Sequence, residues 1–236
     1  MSALDYVGTE LELFAHAKHW KAYWSAQIAE YVRGDVLDVG AGLGATIEVL
    51  SGLVNARWTA LEPDPGLAER LRAAATSGAI PSATRVVNGV LTDLDPHERF
   101  DTVLYIDVLE HIEDDRSQLE CAARLIRPGG CLVVLAPAHN WLFTPFDQAI
   151  GHFRRYNRAD LTRLLPCGMK IHRLRYLDSA GLLASLGNRL FLQASSPTPS
   201  QIALWDNVLV RASRLLDPLT FGMLGKTVVM VCQKIG

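Results

Sequence analysis

The chain has 236 residues, 23 Lys and Arg against 25 Asp and Glu, a formal net charge of −2, 49% hydrophobic residues and 20% charged ones. That length suits one substantial domain, the composition is that of a soluble globular protein, and the near-neutral charge argues against a broad nucleic-acid footprint. No window reaches membrane-span length, Met1 to Asp5 lacks a basic leader, and the four cysteines have no paired spacing, so reduced structural thiols and a cytoplasmic location are expected.

Thr9 to Val32 reads as one or two helices with an imperfect stripe of Leu11, Phe14, Ala15, Lys18, Tyr23, Ile28 and Tyr31. Trp20, Tyr23 and Trp24 are most simply core contacts, although the same aromatics could close over a ligand. The apolar run from Val36 ends in glycines at 40, 42 and 44 and leads into Ala45 to Leu50, the pattern of a strand, a tight turn and a helix. The free N–H groups at the start of that helix suit a nucleotide-like ligand. Arg57 to Glu62 reads as a second strand ending in a carboxylate able to accept both hydrogen bonds of a ribose diol.

A helix over Gly66 to Ser77, a break at Pro81 and a strand over Thr84 to Asn88 follow. Phe100 to Ile106 is a nearly continuous apolar strand that sets Asp107 beside the glycine turn. Glu113 to Asp115 reads as a helix cap, and Arg127-Pro-Gly-Gly130 as a helix stop and turn before a strand over Cys131 to Ala136. Glu110 and His111 lack the multi-ligand spacing of a metal site, so no metal is expected. Pro137 to Arg158 holds His139, Trp141, Phe143, Phe146, His152, Arg154, Arg155 and Tyr156 after a strand end, where function concentrates. Beyond it come a helix over Asp160 to Leu165, a strand over Met169 to Leu177, a helix over Ser179 to Gln193, a loop over Ser195 to Ser200, an amphipathic helix over 201–216 and a strand over Lys226 to Cys232. Lys226 is taken as a solvent-facing charge at that strand's start.

Asp38-Val-Gly-Ala-Gly-Leu-Gly44, Ala60-Leu-Glu-Pro-Asp64, Phe100 to Ile112 and Leu125 to Val134 resemble, in order and spacing, the successive motifs of class I S-adenosylmethionine-dependent methyltransferases. Gly151-His-Phe-Arg-Arg-Tyr156 and Leu224-Gly-Lys-Thr227 resemble a bacterial small-molecule subgroup of that family. The resemblance implies an α/β fold, a doubly wound, mostly parallel seven-stranded sheet with helices on both faces and an antiparallel last strand. It also implies S-adenosyl-L-methionine as cofactor and one methyltransferase domain over 1–236, with 1–32 as a helical cover and 137–216 holding an acceptor-binding insertion and lid helices. Cofactor contacts then fall to Asp38, Gly40, Ala41, Gly42, Gly44, Glu62, Pro63, Asn88, Gly89, Asp107, Val108 and His111. The family's usual acidic residue near the adenine is absent around Asn88, and Asp93 reads equally as a turn residue.

The acceptor side is assigned to Tyr23, Trp24, His139, Trp141, Phe143, His152, Arg154, Arg155 and Tyr156. A neutral hydroxyl acceptor needs a base, for which His139 and His152 are candidates, with Tyr23 able to reach a substrate. An acceptor already anionic suits the forked donors of Arg154 and Arg155, which could equally pair with Asp147 or Asp160 and only hold the loop. The expectation is O-methylation of a small, carboxylate-, phosphate- or phosphonate-like metabolite, with homodimerisation left open. A nicotinamide-dependent oxidoreductase and a non-catalytic module of the same fold are the competing readings; the former lacks the later glycine of a dinucleotide fingerprint.

Overall fold

The computed structural model describes Phe14, residues 16–187 and residues 198–235. The expected helix start before Phe14, the C-terminal part of the helix expected over Ser179 to Gln193 and most of the loop before Ser200 lie outside the described residues.

Seven strands form one sheet: β1 Gly34–Val39, β2 Ala56–Glu62, β3 Arg85–Asn88, β4 Phe100–Ile106, β5 Ile126–Pro137, β6 Met169–Leu177 and β7 Thr227–Lys234, in the order β3-β2-β1-β4-β5-β7-β6. All neighbours from β3 to β5 pair parallel, whereas β7 runs antiparallel to both β5 and β6. The strand order reverses between β1 and β4, which opens a crevice at their carboxyl ends. Alternate residues feed two apolar layers: Leu37, Val103, Tyr105, Leu132, Val134 and Met230 face one, Val36, Leu104, Val133, Leu135 and Val229 the other. Burial on both faces explains why these strands read as continuous apolar runs.

Helix α1 (Lys18–Ile28) lies in the second layer, with Trp20, Tyr23, Trp24 and Ile28 buried. Helix α2 (Ala45–Ser51) follows the glycine turn. Helix α3 (Pro65–Ser77) starts with Asp64 Oδ1 accepting from Leu67 N at 2.8 Å and Pro65 in its first turn, and stops at Gly78 with φ 79°. Helix α4 (Asp115–Leu125) is capped by Asp114, which accepts from Ser117 N at 3.1 Å, as the acidic run implies. Short helices α5 (Pro145–Ala149) and α6 (Arg158–Arg163) punctuate the loop after β5, and α7 (Ser179–Gly187) follows β6.

Two expectations change. Arg127 to Gly130 is not a free turn: it lies inside β5, where Ile126 pairs with Phe100 and the register then shifts before Cys131 meets Thr102. The helix expected over 201–216 is interrupted. It consists of α8 (Pro199–Leu204), a π-helical segment (Trp205–Leu209) and α9 (Val210–Leu216). Within the widened segment, the Asp206 carboxylate accepts from Trp20 N at 2.8 Å and His19 N at 3.1 Å, meeting N–H groups that α1 leaves open at its start. Among the described residues no helix is long and apolar enough to cross a membrane.

Candidate functional site

The turn after β1 is set by backbone. Gly40 N and Ala41 N donate to Leu61 O at 2.8 and 3.1 Å, and Gly40, Gly42 and Gly44 hold φ of 65°, 56° and 82°. A Cβ on Gly40 would stand 2.8 Å from Val108 Cγ2, so glycine here allows both the left-handed bend and the approach of the loop after β4. Glu62 is buried and faces this turn: Oε2 accepts from Gly42 N at 2.8 Å and Oε1 from Asp64 N at 2.9 Å. Burial raises the Glu62 carboxyl against those two bonds. Asp38, buried in β1, has no hydrogen-bond partner at Oδ2, and burial beside Glu62 pushes its carboxyl up to about 8. Asn88 Nδ2 donates to the carbonyls of Glu62 and Pro63 at 2.9 and 3.0 Å, and Gly89 N to Glu62 O at 3.0 Å, so both fasten the end of β3 to that of β2. Asp93 accepts from Val90 N at 2.8 Å, a turn role.

Beyond β4, Asp107 takes φ 54°. His139 after β5 and Asp178 after β6 likewise hold φ of 67° and 68°. Left-handed non-glycine residues at the carboxyl ends of β4, β5 and β6 are backbone strain concentrated at that edge of the sheet. Asp107 is solvent-accessible yet ringed by protein, the setting of a cleft floor; that crowding raises its carboxyl to about 6 against the pull of His152 and Lys226.

The loop after β5 is pinned over this floor. Ala138 and Tyr156 form a parallel bridge, Phe153 N donates to Glu110 O at 2.8 Å, and the Tyr156 hydroxyl lies 3.1 Å from Leu109 O and 2.9 Å from Asp115 Oδ2. His152 Nδ1 meets Asp147 Oδ1 at 3.0 Å, and Arg155 clamps the same carboxylate with Nε and Nη2, both at 2.9 Å. Burial works to raise the Asp147 carboxyl, but the bonds from His152 and Arg155 outweigh it and hold it well below the usual range. His152 Nε2 points toward Glu110 Oε1 at 3.9 Å, and its ring meets that of His111 edge-on with centroids 4.6 Å apart. Burial and His152 lower His111 to about 4, so it is neutral. Side-chain donor atoms of Glu110, His111 and His152 thus lie within 4.8 Å of one another, although the spacing in sequence gave no such grouping.

Other expected acceptor residues are placed elsewhere. Arg154 binds Asp115 Oδ2 at 2.6 Å and Glu113 O at 2.8 Å, and Arg155 is taken by Asp147, so the two arginines hold the loop and are not forked donors for an anion. A groove of about 430 Å³ on that side is lined by Arg116, Arg154, Arg155 and Arg163, each bonded to protein oxygens, and contains nothing of the glycine turn. The Tyr23 hydroxyl donates to buried Asp217 at 2.7 Å, and burial, then that bond, raises its ionisation far above the ordinary phenol. Trp24 is likewise core. Tyr156 is fully buried, Trp141 is 47% exposed and stacks on His139, and Phe143 is half-buried. His139 Nε2 bonds to Gly225 O at 2.9 Å, and its ring lies on Tyr176. Lys226 is only partly exposed and its charge is drawn inward: its Nζ sits 4.0 Å over the Trp205 ring and 3.6 Å from buried Asp178 Oδ2, while Trp205 Nε1 and Ser213 Oγ donate to that carboxylate at 2.7 Å each. The sequence names Asp147 only as a candidate partner of the arginines, and the structure forms that pair with Arg155; its place behind His152, the buried Asp178 and the inward-facing Lys226 escaped sequence reasoning. A Thr-x-x-Asp helix cap also marks Asp147, and the structure does form it.

The donor set fits the cofactor implied by the sequence resemblance. An unpartnered buried carboxylate oxygen on Asp38 suits a cationic N–H donor, and Glu62 keeps lone pairs beyond its two backbone bonds for a diol.

Residues 37–134 match the family model described as a methyltransferase domain. The chain is 35% identical over 108 residues to a ubiquinone biosynthesis O-methyltransferase of Bradyrhizobium diazoefficiens, a match covering 45% of this chain and 41% of that protein. It spans about two-fifths of the length of the curated relatives it matches. Among solved structures it is similar to coclaurine N-methyltransferase bound to N-methylheliamine and SAH, with TM-score 0.64 and 14% identity over 99% of this chain and 77% of that one. The cyclase SpnF has TM-score 0.62 and 15% identity, with 98% of this chain and 96% of that one covered. At such identities these two likenesses show the fold alone.

Proposed function

From the match of residues 37–134 to a methyltransferase-domain model, we propose that the protein is a class I S-adenosylmethionine-dependent methyltransferase that methylates an oxygen of a small acceptor, with S-adenosyl-L-methionine as cofactor. The supporting observation is the pair of buried carboxylates at the glycine turn, Glu62 aimed at Gly42 and Asp38 with an unpartnered oxygen. The cofactor, when bound, supplies a methyl group on a positively charged sulfur. Glu62 would hold its ribose hydroxyls and Asp38 its ammonium end.

Oxygen as the methylated atom is favoured by the curated relatives, which are named O-methyltransferases. The acceptor is assigned to the crevice between Asp107 and the loop that carries His152. There His152 takes the acceptor's proton at Nε2, while Asp147 fixes the imidazole through Nδ1. The Lys226 charge, held by Asp178 and Trp205, acts on Asp107 and offsets its negative charge. The loop excludes water from one side of the crevice. With Arg154 and Arg155 already paired, a neutral hydroxyl compound suits the site better than an anion.

Calorimetric titration of the purified chain with S-adenosylmethionine and, separately, with NADH tests this. Only the former should bind, and Glu62→Gln should weaken it about 10- to 100-fold, the size of one or two bonds to a charged acceptor. Binding of NADH in its place, or an unchanged affinity in the variant, overturns the reading.

A further inference from the structure

The Glu110 side chain is 1% exposed, and its Oε2 has no hydrogen-bond partner. A carboxylate left so deep must be neutralised by a proton or by a cation. Facing it are two imidazoles. One is braced from behind: Asp147 holds His152 at Nδ1, leaving Nε2 turned to Glu110, while the His111 ring meets that of His152 edge-on. A carboxylate behind a histidine is the bracing that fixes a histidine ligand around a metal ion.

We propose that Glu110, His111 and His152 form a binding site for a first-row divalent cation of the zinc class, with Asp147 as the positioning residue behind His152. Two neutral imidazoles and one carboxylate leave a divalent ion one net positive charge and at least one open coordination position. Ligand atoms around tetrahedral zinc lie about 3.3 Å apart for bonds of about 2.0–2.1 Å. The present spread of up to 4.8 Å therefore closes by side-chain rotation of an ångström or so. The two loops are already locked to each other through Phe153 N on Glu110 O and Tyr156 Oη on Leu109 O, so the backbone need not move. A cation there would hold and acidify an acceptor hydroxyl in place of His152 as base. Only that consequence rests on the proposed methyl transfer; the binding itself does not.

The test uses the full chain stripped with a chelator, then titrated with Zn²⁺ by calorimetry and with Co²⁺ by visible absorption. One equivalent of Zn²⁺ should bind, Co²⁺ should develop the intense bands of four- or five-coordinate nitrogen and oxygen ligation, and Zn²⁺ should raise Tm. Glu110→Gln and His152→Asn should each weaken binding at least about 100-fold, Asp147→Asn about 10- to 100-fold, and exposed His97→Ala not at all. If a variant fails to fold, the Co²⁺ spectrum and Tm shift of the natural chain decide. A spectrum of hydrated Co²⁺ with no Tm shift, or Zn²⁺ affinity unchanged by Glu110→Gln, overturns the site whether or not S-adenosylmethionine binds.

Discussion

At the carboxyl ends of β1 and β2, position is fixed by backbone: three positive-φ glycines, two N–H groups on the Leu61 carbonyl, and Glu62 seated on two further N–H groups. Across the crevice, at the ends of β5 and β6, position is fixed by buried side-chain pairs. Asp147 joins Arg155 to His152, Asp115 joins Arg154 to Tyr156, and Asp178 joins Trp205, Ser213 and Lys226. Backbone scaffolding survives the loss of any one side chain, whereas a buried ion pair does not, because the surviving charge is left without a partner. The two walls should therefore fail separately.

Asp147→Ala strains that contrast most. The carboxylate is 1% exposed, and its removal strands a mostly buried guanidinium and the His152 imidazole. The cost should be about 3–5 kcal/mol, read as a fall in Tm on the order of 10 °C. S-adenosylmethionine affinity, measured below the lowered Tm, should stay within about twofold of the natural chain, a free-energy change under 0.5 kcal/mol in order of magnitude. A parallel collapse of cofactor binding would mean that the two walls are one cooperative unit.

The same contrast decides what was legible in the sequence. The glycine turn, Glu62 and Asp107 depend on contacts within one strand-turn-helix unit and its neighbour, and periodicity with turn chemistry reports such local geometry. The run from Val36 to Gly44 reads correctly because Gly40 must be left-handed and must admit Val108. Nothing in the spacing of Glu110, Asp147, His152 and Arg155 says which pairs form, since that depends on how a long loop folds back over the sheet. Lys226 was misread for the same reason: the partners that draw it inward, Asp178 and Trp205, stand 48 and 21 residues away (226 − 178 and 226 − 205). Even the π-helical segment at Trp205 follows from distant demands, the start of α1 and the buried Asp178.

On the backbone-built wall, Asp38 should report cofactor arrival as a proton. Its carboxyl is raised to about 8 in the folded chain, so at neutral pH it is mostly protonated when folded and ionised when unfolded. Folding then takes up a proton, and this residue's contribution to stability falls as pH rises from about 4 to about 8. A cationic group beside the unpartnered oxygen reverses that shift. Titration with S-adenosylmethionine at pH 7 should release about one proton, seen as a difference in heat between buffers of unlike ionisation enthalpy. Asp38→Asn should abolish the release, and equal heats in all buffers with the natural chain would place the cofactor's ammonium elsewhere.

Tyr23→Phe sharpens the contrast at its smallest scale, because the helix bearing Tyr23 covers the sheet yet its hydroxyl belongs to the side-chain-built wall. Asp217 accepts from Tyr23 at 2.7 Å and also from Asp178 N and Ser179 N at 2.7 and 3.0 Å, so losing the phenol leaves the carboxylate with two donors. The cost should be about 1–2 kcal/mol in chemical unfolding, below that of an orphaned charge. Methyl-transfer kcat and KM should not move, since a hydroxyl engaged by a buried carboxylate is not presented to a substrate. A tenfold fall in kcat with stability unchanged would instead put the Tyr23 hydroxyl among the groups that touch the acceptor.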